Sequence, residues 1–460
     1  MQTNEKPVRK FGLRDKIGYA FGDFGNDFTF ILSSSFLLKF YTDVMGVSAG
    51  LVGIMMMLAR FVDAFTDVTM GQIVDRSKTT KNGKFRPWLL RMCGPVAVAS
   101  LLMYASWFKD MSMGFKIFWM FFTYLLWGSV CYTGVNIPYG SMASAITGNP
   151  KERAQLSNWR TIGASFASMF ISVVLPLTVY YTDTAGNKVL SGTKVSIAAV
   201  VCSIAAVLCY LLCYHLTTER VTIETTTEKF NLKNLISSLL HNRALIGFVL
   251  ASICLQLSQL TMGNMTSYVF PNYFGNTEAQ AMTGMISICV IFLCSPFTVK
   301  LSDKFGRRAL AMTACIISAV PLLVIYFMHT HNAWLFVVFY GIMYIGIAIF
   351  QLICWAMVTD VIDDTEVTSG QRSDGTIFAV YSFSRKIAQA ASSGIIGLLL
   401  TLIGYSQATA FDAPVVEGIY SLTCLVPSIG FILSAVFLKF VYPLGKKRVD
   451  KNAAKLSLKK

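Results

Sequence analysis

Twelve long apolar runs, each near the ~20 residues a helix needs to cross the hydrocarbon of a bilayer, dominate the chain. They fall at roughly 17–43, 48–75, 88–108, 114–145, 161–181, 195–216, 244–273, 281–300, 309–328, 333–361, 375–404 and 415–443. The runs are continuous, whereas barrel strands would alternate over about ten residues each. Charged residues make up only 14% of the 460 positions, roughly half the usual share for a soluble domain. This composition excludes an ordinary soluble enzyme, a disordered chain and a small disulfide-stapled fold. The eleven cysteines form no CxxC pair and no metal-ligand spacing, and several, such as Cys202, Cys209 and Cys213, lie inside apolar runs where a thiol packs as a small hydrophobe. The expected fold is an all-α polytopic membrane protein.

Charge placement orients it. Lysines and arginines outnumber acids 39 to 24, a formal net charge of +15. With twelve spans, every heavily basic loop falls on one side: Lys6 to Lys16, Arg76 to Arg91, Lys151 and Arg153, Arg220 to Lys233, Lys304 to Arg308, and the tail from Lys446. The opposite loops carry little beyond Lys109, Lys116, Lys188 and Lys194. By the positive-inside rule both termini are cytoplasmic, and the basic excess answers lipid headgroups rather than nucleic acid. The N-terminal MQTNEKPVRKFGLRDK is polar and basic and does not read as a cleaved signal. A long polar stretch divides the chain into an N-terminal six-helix bundle (1–216), a cytoplasmic middle loop (217–243), a C-terminal six-helix bundle (244–445) and a basic cytoplasmic tail (446–460). A weak echo between DRSKTTKNGKFRPWLLR and DKFGRRAL hints at repeated halves, the pattern of secondary transporters.

Charges inside the runs need a reason, because each costs several kcal/mol at bilayer depth. Asp63 and Asp67, four apart, share one helix face. Two bare carboxylates one turn apart repel, so a proton, a cation between them or a basic residue must answer them. A coupling-cation site and a structural ion pair with Arg60 both satisfy that demand. Lys386, beside Arg385, either meets a buried carboxylate or snorkels to the interface. Asp360, Asp363, Asp364 and Glu366, with Arg372, follow the tenth run as a charged loop or a gate.

Several segments carry a family resemblance: GYAFGDFGNDF (18–28), KFYTDVMGVSAGLVG (39–53), ARFVDAFTDVTMGQIVDR (59–76), GKFRPW (83–88), TYLLWGSVCYTGVNIPYGSM (123–142), RAQLSNWR (153–160), VKLSDKFGRRAL (299–310), VTDVIDDTE (358–366) and YSFSRK (381–386). In this order, over nearly the whole chain, the set resembles the melibiose permease-like glycoside–pentoside–hexuronide:cation symporters of the major facilitator superfamily. The resemblance implies twelve transmembrane helices in two six-helix bundles. It implies cation binding at Asp63, Thr66, Asp67 and Thr133, with Thr66 standing where the family's sodium users often have Asn, so Na⁺ at Asp63 and Asp67 and H⁺ both remain open. It implies that Asp27 and Arg160, at the start of the fifth span, bind a sugar, with Asn136 in place of a second acid. Where the melibiose permease has tryptophans this chain has Gly140 and Gln351, and Tyr139, Trp355 and Tyr381 are the nearest aromatic platforms. The matching Lys386 would bridge the cation and sugar sites. Asp23 matches no charged residue of that permease and reads as structural. The acidic run, with Asp360, Asp363 and Arg372, would form a cytoplasmic gate with Arg76, Lys84, Arg86 and Arg153.

The expected function is symport of a glycoside, such as a xyloside, oligosaccharide or hexuronide, with Na⁺ or H⁺ by alternating access. The alternative is a major facilitator exporter of an organic solute or drug by cation antiport. An enzyme is not expected: the chain has no P-loop, no sizeable domain outside the membrane, and its four histidines (His215, His241, His329 and His331) sit near span ends. No cofactor is expected beyond the coupling cation. The expected partners are a small-molecule glycoside and the lipid bilayer, and the protein is expected to work as a monomer in a bacterial-type cell membrane.

Overall fold

A computed structural model describes residues 9–221, 242–369 and 374–457. Among them the chain runs through long helices joined by short turns. These are α1 (Leu13–Asp43), α2 (Ala49–Arg76), α3 (Arg86–Met103), α4 (Met113–Ile146), α5 (Pro150–Thr178), α6 (Gly192–Leu216), α7 (Arg243–Tyr273), α8 (Thr277–Phe305), α9 (Arg307–Met328), α10 (Ala333–Ser369), α11 (Asp374–Leu402), α12 (Ala413–Phe440) and the shorter α13 (Lys446–Ser457). Among the described residues, ten helices are long and apolar enough to cross a membrane. The long helices α1 and α11 fall outside that set; they carry Asp23, Asp27 and Lys39, and Arg385 and Lys386. Large side chains such as Phe65, Phe327 and Leu402 stand exposed, at 76%, 80% and 80%, as a lipid-facing surface requires. The eleven cysteines are all free.

The chain divides into two compact units, Met1–Asp183 with Val189–Thr227 and Thr184–Lys188 with Glu228–Lys460. In the first, α1 packs along both α5 and α6, α3 packs on α6 and α4, and α2 packs on α4. In the second, α7 packs on α11 and α12, α9 on α10 and α12, and α8 on α10.

Two helices start or end differently from the apolar runs. The fifth run begins near 161, yet α5 begins at Pro150, because Asn149 accepts a hydrogen bond from the Lys151 amide at 3.0 Å and proline suits a first turn. Arg160 is therefore well inside a helix. Likewise α10 continues past the run's end at 361 to Ser369, so Asp360, Asp363, Asp364 and Glu366 are helical. Asp364 is held bidentately by the Nε–Nη2 edge of Arg448, at 2.8 and 2.8 Å, and by Asn452 at 2.7 Å, which seats α13 against α10.

Of the expected middle loop, residues 222–241 lie outside the described residues, and 217–221 are docked on the first unit. The amides of Arg220 and Val221 both donate to the Ala145 carbonyl, at 2.7 and 2.9 Å. Buried Asp15 accepts from Arg9 at 2.7 Å, from Arg220 at 2.9 Å and from the Thr218 amide at 3.1 Å. Glu219 accepts the amides of Lys84, Phe85 and Arg86, at 2.7, 2.9 and 2.7 Å, and so caps the start of α3. This explains the glycine of GKFRPW. Gly83 has φ +103°, and a Cβ there would sit 2.5 Å from the Glu219 carboxyl carbon. Replacing Glu219 by Ala should cost about 1–3 kcal/mol through three amides left without their acceptor. A fall in the melting temperature of the detergent-solubilised protein would register it, and an unchanged melting temperature would refute the cap.

Candidate functional site

Helix periodicity puts Asp63 and Asp67 one turn apart on α2, facing the middle of α4. There the stretch Leu126–Tyr132 widens into a π-helical turn, which re-aims side chains that follow it. The Ser129 hydroxyl donates to Asp63 Oδ1 at 2.6 Å, and the Thr133 hydroxyl lies 2.9 Å from Asp67 Oδ1 and 3.1 Å from the Gly128 carbonyl. Gly128 packs directly against this carboxylate: a Cβ there would stand 3.4 Å from Asp63 Oδ1, an ordinary contact. Arg60 Nη1 reaches Asp63 Oδ2 at 3.4 Å, and its guanidinium lies 4.9 Å from the Phe30 ring centroid. The Thr66 hydroxyl turns back to the Asp63 backbone carbonyl at 3.2 Å. The carboxylate pair is thus met by a loose ion pair with Arg60 and by two close hydroxyls. Among the described residues no cluster of three or more His, Cys, Asp or Glu side chains is suited to a metal. The oxygens here (carboxylates and hydroxyls) suit a hard monovalent cation or a proton.

A second charged group lies in the same unit. Arg160 donates through Nε to Asp23 Oδ1 at 3.0 Å, and its guanidinium carbon lies 5.3 Å from the Tyr139 ring centroid. Tyr139 stacks on Tyr19 at 4.6 Å, and its hydroxyl donates to the Tyr19 carbonyl at 2.6 Å. Asp27, one turn beyond Asp23, is half-buried and within electrostatic reach of both Asp23 and Arg160. Asn26 accepts from Tyr210 at 2.8 Å. Two close approaches make this meeting possible. A Cβ on Gly22 would lie 2.1 Å from the Tyr139 ring, and one on Gly163 would lie 2.1 Å from the Ala20 carbonyl oxygen. Tyr132, from the π-helical turn, stacks on Phe30 at 5.7 Å and is within electrostatic reach of Asp23, Asp27, Arg160 and Arg60. Half-buried Asn136 lies one turn further along α4.

In the second unit Gln351 donates to Gln259 at 2.9 Å. Trp355, 48% exposed, meets Tyr381 edge to face at 5.1 Å and has the Arg385 guanidinium 6.0 Å from its ring centroid. The Tyr381 hydroxyl lies 3.3 Å from Cys354 Sγ. Lys386 is half-buried on α11. Asp360 is held by Arg307 of the same unit. Arg86 donates to the Tyr214 carbonyl and Lys84 to the Asp75 carbonyl, while Arg76 is exposed at the end of α2. Arg372 lies outside the described residues.

Two residues escape the sequence reading. Ser129 looks like an ordinary hydroxyl in an apolar run, and only the π-helical turn aims it at Asp63. Asp23 reads as structural beside Asp27, yet it is the carboxylate that meets Arg160. The signal available for it was its i, i+4 spacing from Asp27.

Comparison with known proteins places the chain. It is 35% identical to an uncharacterized symporter, YjmB, of Bacillus subtilis (strain 168), over 95% of this chain and 93% of that protein. It is 31% identical to a putative glycoside/cation symporter, YagG, of Escherichia coli (strain K12), over 95% and 93%. A D-xylose-proton symporter crystal structure superposes with a TM-score of 0.60 at 12% identity, covering 94% of this chain and 96% of that one, a likeness of fold alone. The all-α architecture is that of the major facilitator superfamily, in a multi-pass membrane protein rather than an enzyme. With a family model described as MFS/sugar transport protein matching it from residue 18 to residue 446, the chain belongs to that family of transporters.

Proposed function

We propose that the protein is a secondary transporter that carries a glycoside together with Na⁺ or H⁺ by alternating access. One observation carries the reading: a single stretch of α4 serves both charged groups of the first unit. Ser129 and Thr133 attend the α2 carboxylates, while Tyr132 lies within electrostatic reach of Asp27 and Arg160. A cation taken up between Asp63 and Asp67 accepts oxygens that now receive Ser129 and Thr133. Those hydroxyls rotate to offer lone pairs, and the adjustment of the π-helical turn is felt at Tyr132. By reciprocity the sugar then favours the cation as much as the cation favours the sugar.

In this reading Asp27, Arg160 and Asn136 take sugar hydroxyls; Gln351, Trp355, Tyr381 and Lys386 are further sugar-binding candidates by the family resemblance, and Thr66 joins Asp63, Asp67 and Thr133 as the cation-binding set. Asp360, Asp363, Arg372 and Arg76 belong to the cytoplasmic gate, with both termini in the cytoplasm of a cell whose inner membrane holds the protein. The names of two relatives, a symporter and a putative glycoside/cation symporter, support cation symport over the cation-antiport alternative.

Reconstituted vesicles provide the test. A panel of labelled glycosides is offered under an inward Na⁺ gradient at equal pH, then under an inward H⁺ gradient without Na⁺. At least one glycoside should accumulate above its external concentration under one of the gradients. Equilibration without accumulation under both would overturn the proposal.

A further inference from the structure

We propose that the groove between the end of α5 and the start of α6 binds an anionic phospholipid of the bilayer, one acyl chain along the groove and the phosphate at Lys194. A cavity of about 320 Å³ lies there, lined by Phe170, Val174, Thr178, Lys194, Ala198 and Val201 among others. An apolar cavity of about 150 Å³ already takes up benzene. The lining runs from Phe170 to Thr178 on α5 and from Lys194 to Cys202 on α6. At 1.5 Å per residue each stretch is about 12 Å long, close to the ~15 Å depth of one leaflet of a ~30 Å hydrocarbon core. The groove therefore has the length of a chain segment within a single leaflet. The Thr178 hydroxyl is spent on the Val174 carbonyl of its own helix, at 2.9 Å. Ile197 and Val201 on the rim are 58% and 50% exposed, so the groove opens toward the face that hydrocarbon covers.

The mouth is cationic. Lys194 lies in the first turn of α6, and its ammonium gives one donor to the Tyr180 carbonyl at 3.0 Å, which leaves two for another acceptor. Trp107 and Tyr181, 58% and 46% exposed in the connections at this end of the first unit, are the residue types that sit at headgroup level. The other charges on those connections are Lys109 and Lys116, against Asp43, Asp110 and Asp183. Asp43 is taken by Lys39 at 3.1 Å, and Lys116 donates to the Met45 carbonyl at 2.9 Å. Of these side chains only Lys194 lines the cavity. A zwitterionic lipid offers the same acyl chain but brings its own ammonium beside Lys194. An anionic headgroup brings the phosphate without that repulsion.

Two lipids with identical chains separate headgroup from groove. Dioleoyl phosphatidylglycerol and dioleoyl phosphatidylcholine are added in equal amounts to the detergent-purified protein, and the lipid retained is read by native mass spectrometry. The wild type should retain the anionic lipid in preference. Lys194→Gln should lower the anionic-to-zwitterionic ratio about fivefold, the weight of one lysine at an anionic lipid surface, while Lys109→Gln leaves it unchanged. Ala198→Phe fills the groove and should reduce retention of both lipids together. Leu208→Phe, on the same helix at a 56% exposed position outside the lining, should retain them as the wild type does. Equal retention of the two lipids by the wild type would overturn the proposal. So would equal effects of Lys194→Gln and Lys109→Gln, which would mark a diffuse surface charge, or an Ala198→Phe protein that keeps its lipid as Leu208→Phe does. Should Ala198→Phe fail to fold, the paired lysine variants, both at exposed positions, decide the matter.

Discussion

Asp67→Asn should abolish accumulation against a gradient and weaken coupling-cation affinity by about 100-fold, and Asp63→Asn added to it should leave only passive equilibration. Removing one member of a buried, hydrogen-bonded charge set typically costs about 2–5 kcal/mol. The two positions differ in what they leave behind. Asp63 balances Arg60 at 3.4 Å and accepts Ser129, so its loss leaves a guanidinium beside Phe30 without that partner and risks the fold. Asp67 accepts Thr133, and an asparagine carbonyl can keep that hydrogen bond while the charge disappears. The single variant therefore separates the charge from the geometry. Counterflow, in which labelled sugar exchanges for unlabelled sugar without a net cation gradient, should survive in Asp67→Asn. Undiminished accumulation in the double variant would show that the α2 carboxylates are a structural pair and no part of coupling.

The parts of this molecule that follow from bulk properties of the chain are legible in the sequence. The helices follow from the length and continuity of the apolar runs, since a backbone in hydrocarbon has few other ways to satisfy its polar groups. The carboxylate pair on α2 follows from a spacing of four on an apolar helix long enough to cross the membrane. What was not legible depends on side-chain direction and on which helices touch. The extension of α5 to Pro150 and of α10 to Ser369 is driven by capping and charge pairing, which hydropathy does not report. Ser129 reaches Asp63 because one turn of α4 is π-helical, and no residue pattern in LWGSVCY announces that turn. Asp23 and Asp27 lie on one face of α1, and the sequence offers no means to say which of them meets Arg160. That choice is made by how far along α1 the α5 helix crosses, and Gly163 lets the two helices approach there.

The close approach of α5 to α1 at Gly163 supplies the second large effect. A Cβ on Gly163 would lie 2.1 Å from the Ala20 carbonyl oxygen, 3.0 Å from its carbonyl carbon and 3.3 Å from its Cα. All three atoms are main chain, inside a helix whose hydrogen bonds hold them, so no rotamer change relieves the overlap and the whole of α5 must move away from α1. Overpacking of this kind costs about 1–3 kcal/mol, occasionally more. The displacement also falls where it matters chemically, because Arg160 lies three residues before Gly163 on the same helix face and its contact with Asp23 is 3.0 Å. Gly163→Ala should thus cut glycoside transport about tenfold or more while some folded protein remains, and Gly163→Val should remove most of the folded protein. Gly94→Ala is the control, since nothing stands within 4 Å of a Cβ there, and it should transport as the wild type does. Size-exclusion profiles of the solubilised protein, taken beside uptake rates, separate misfolding from misalignment. If Gly163→Ala folds and transports like Gly94→Ala, then α1 and α5 are not held at the distance that joins Asp23 to Arg160, and the charge arrangement built on that contact loses its foundation.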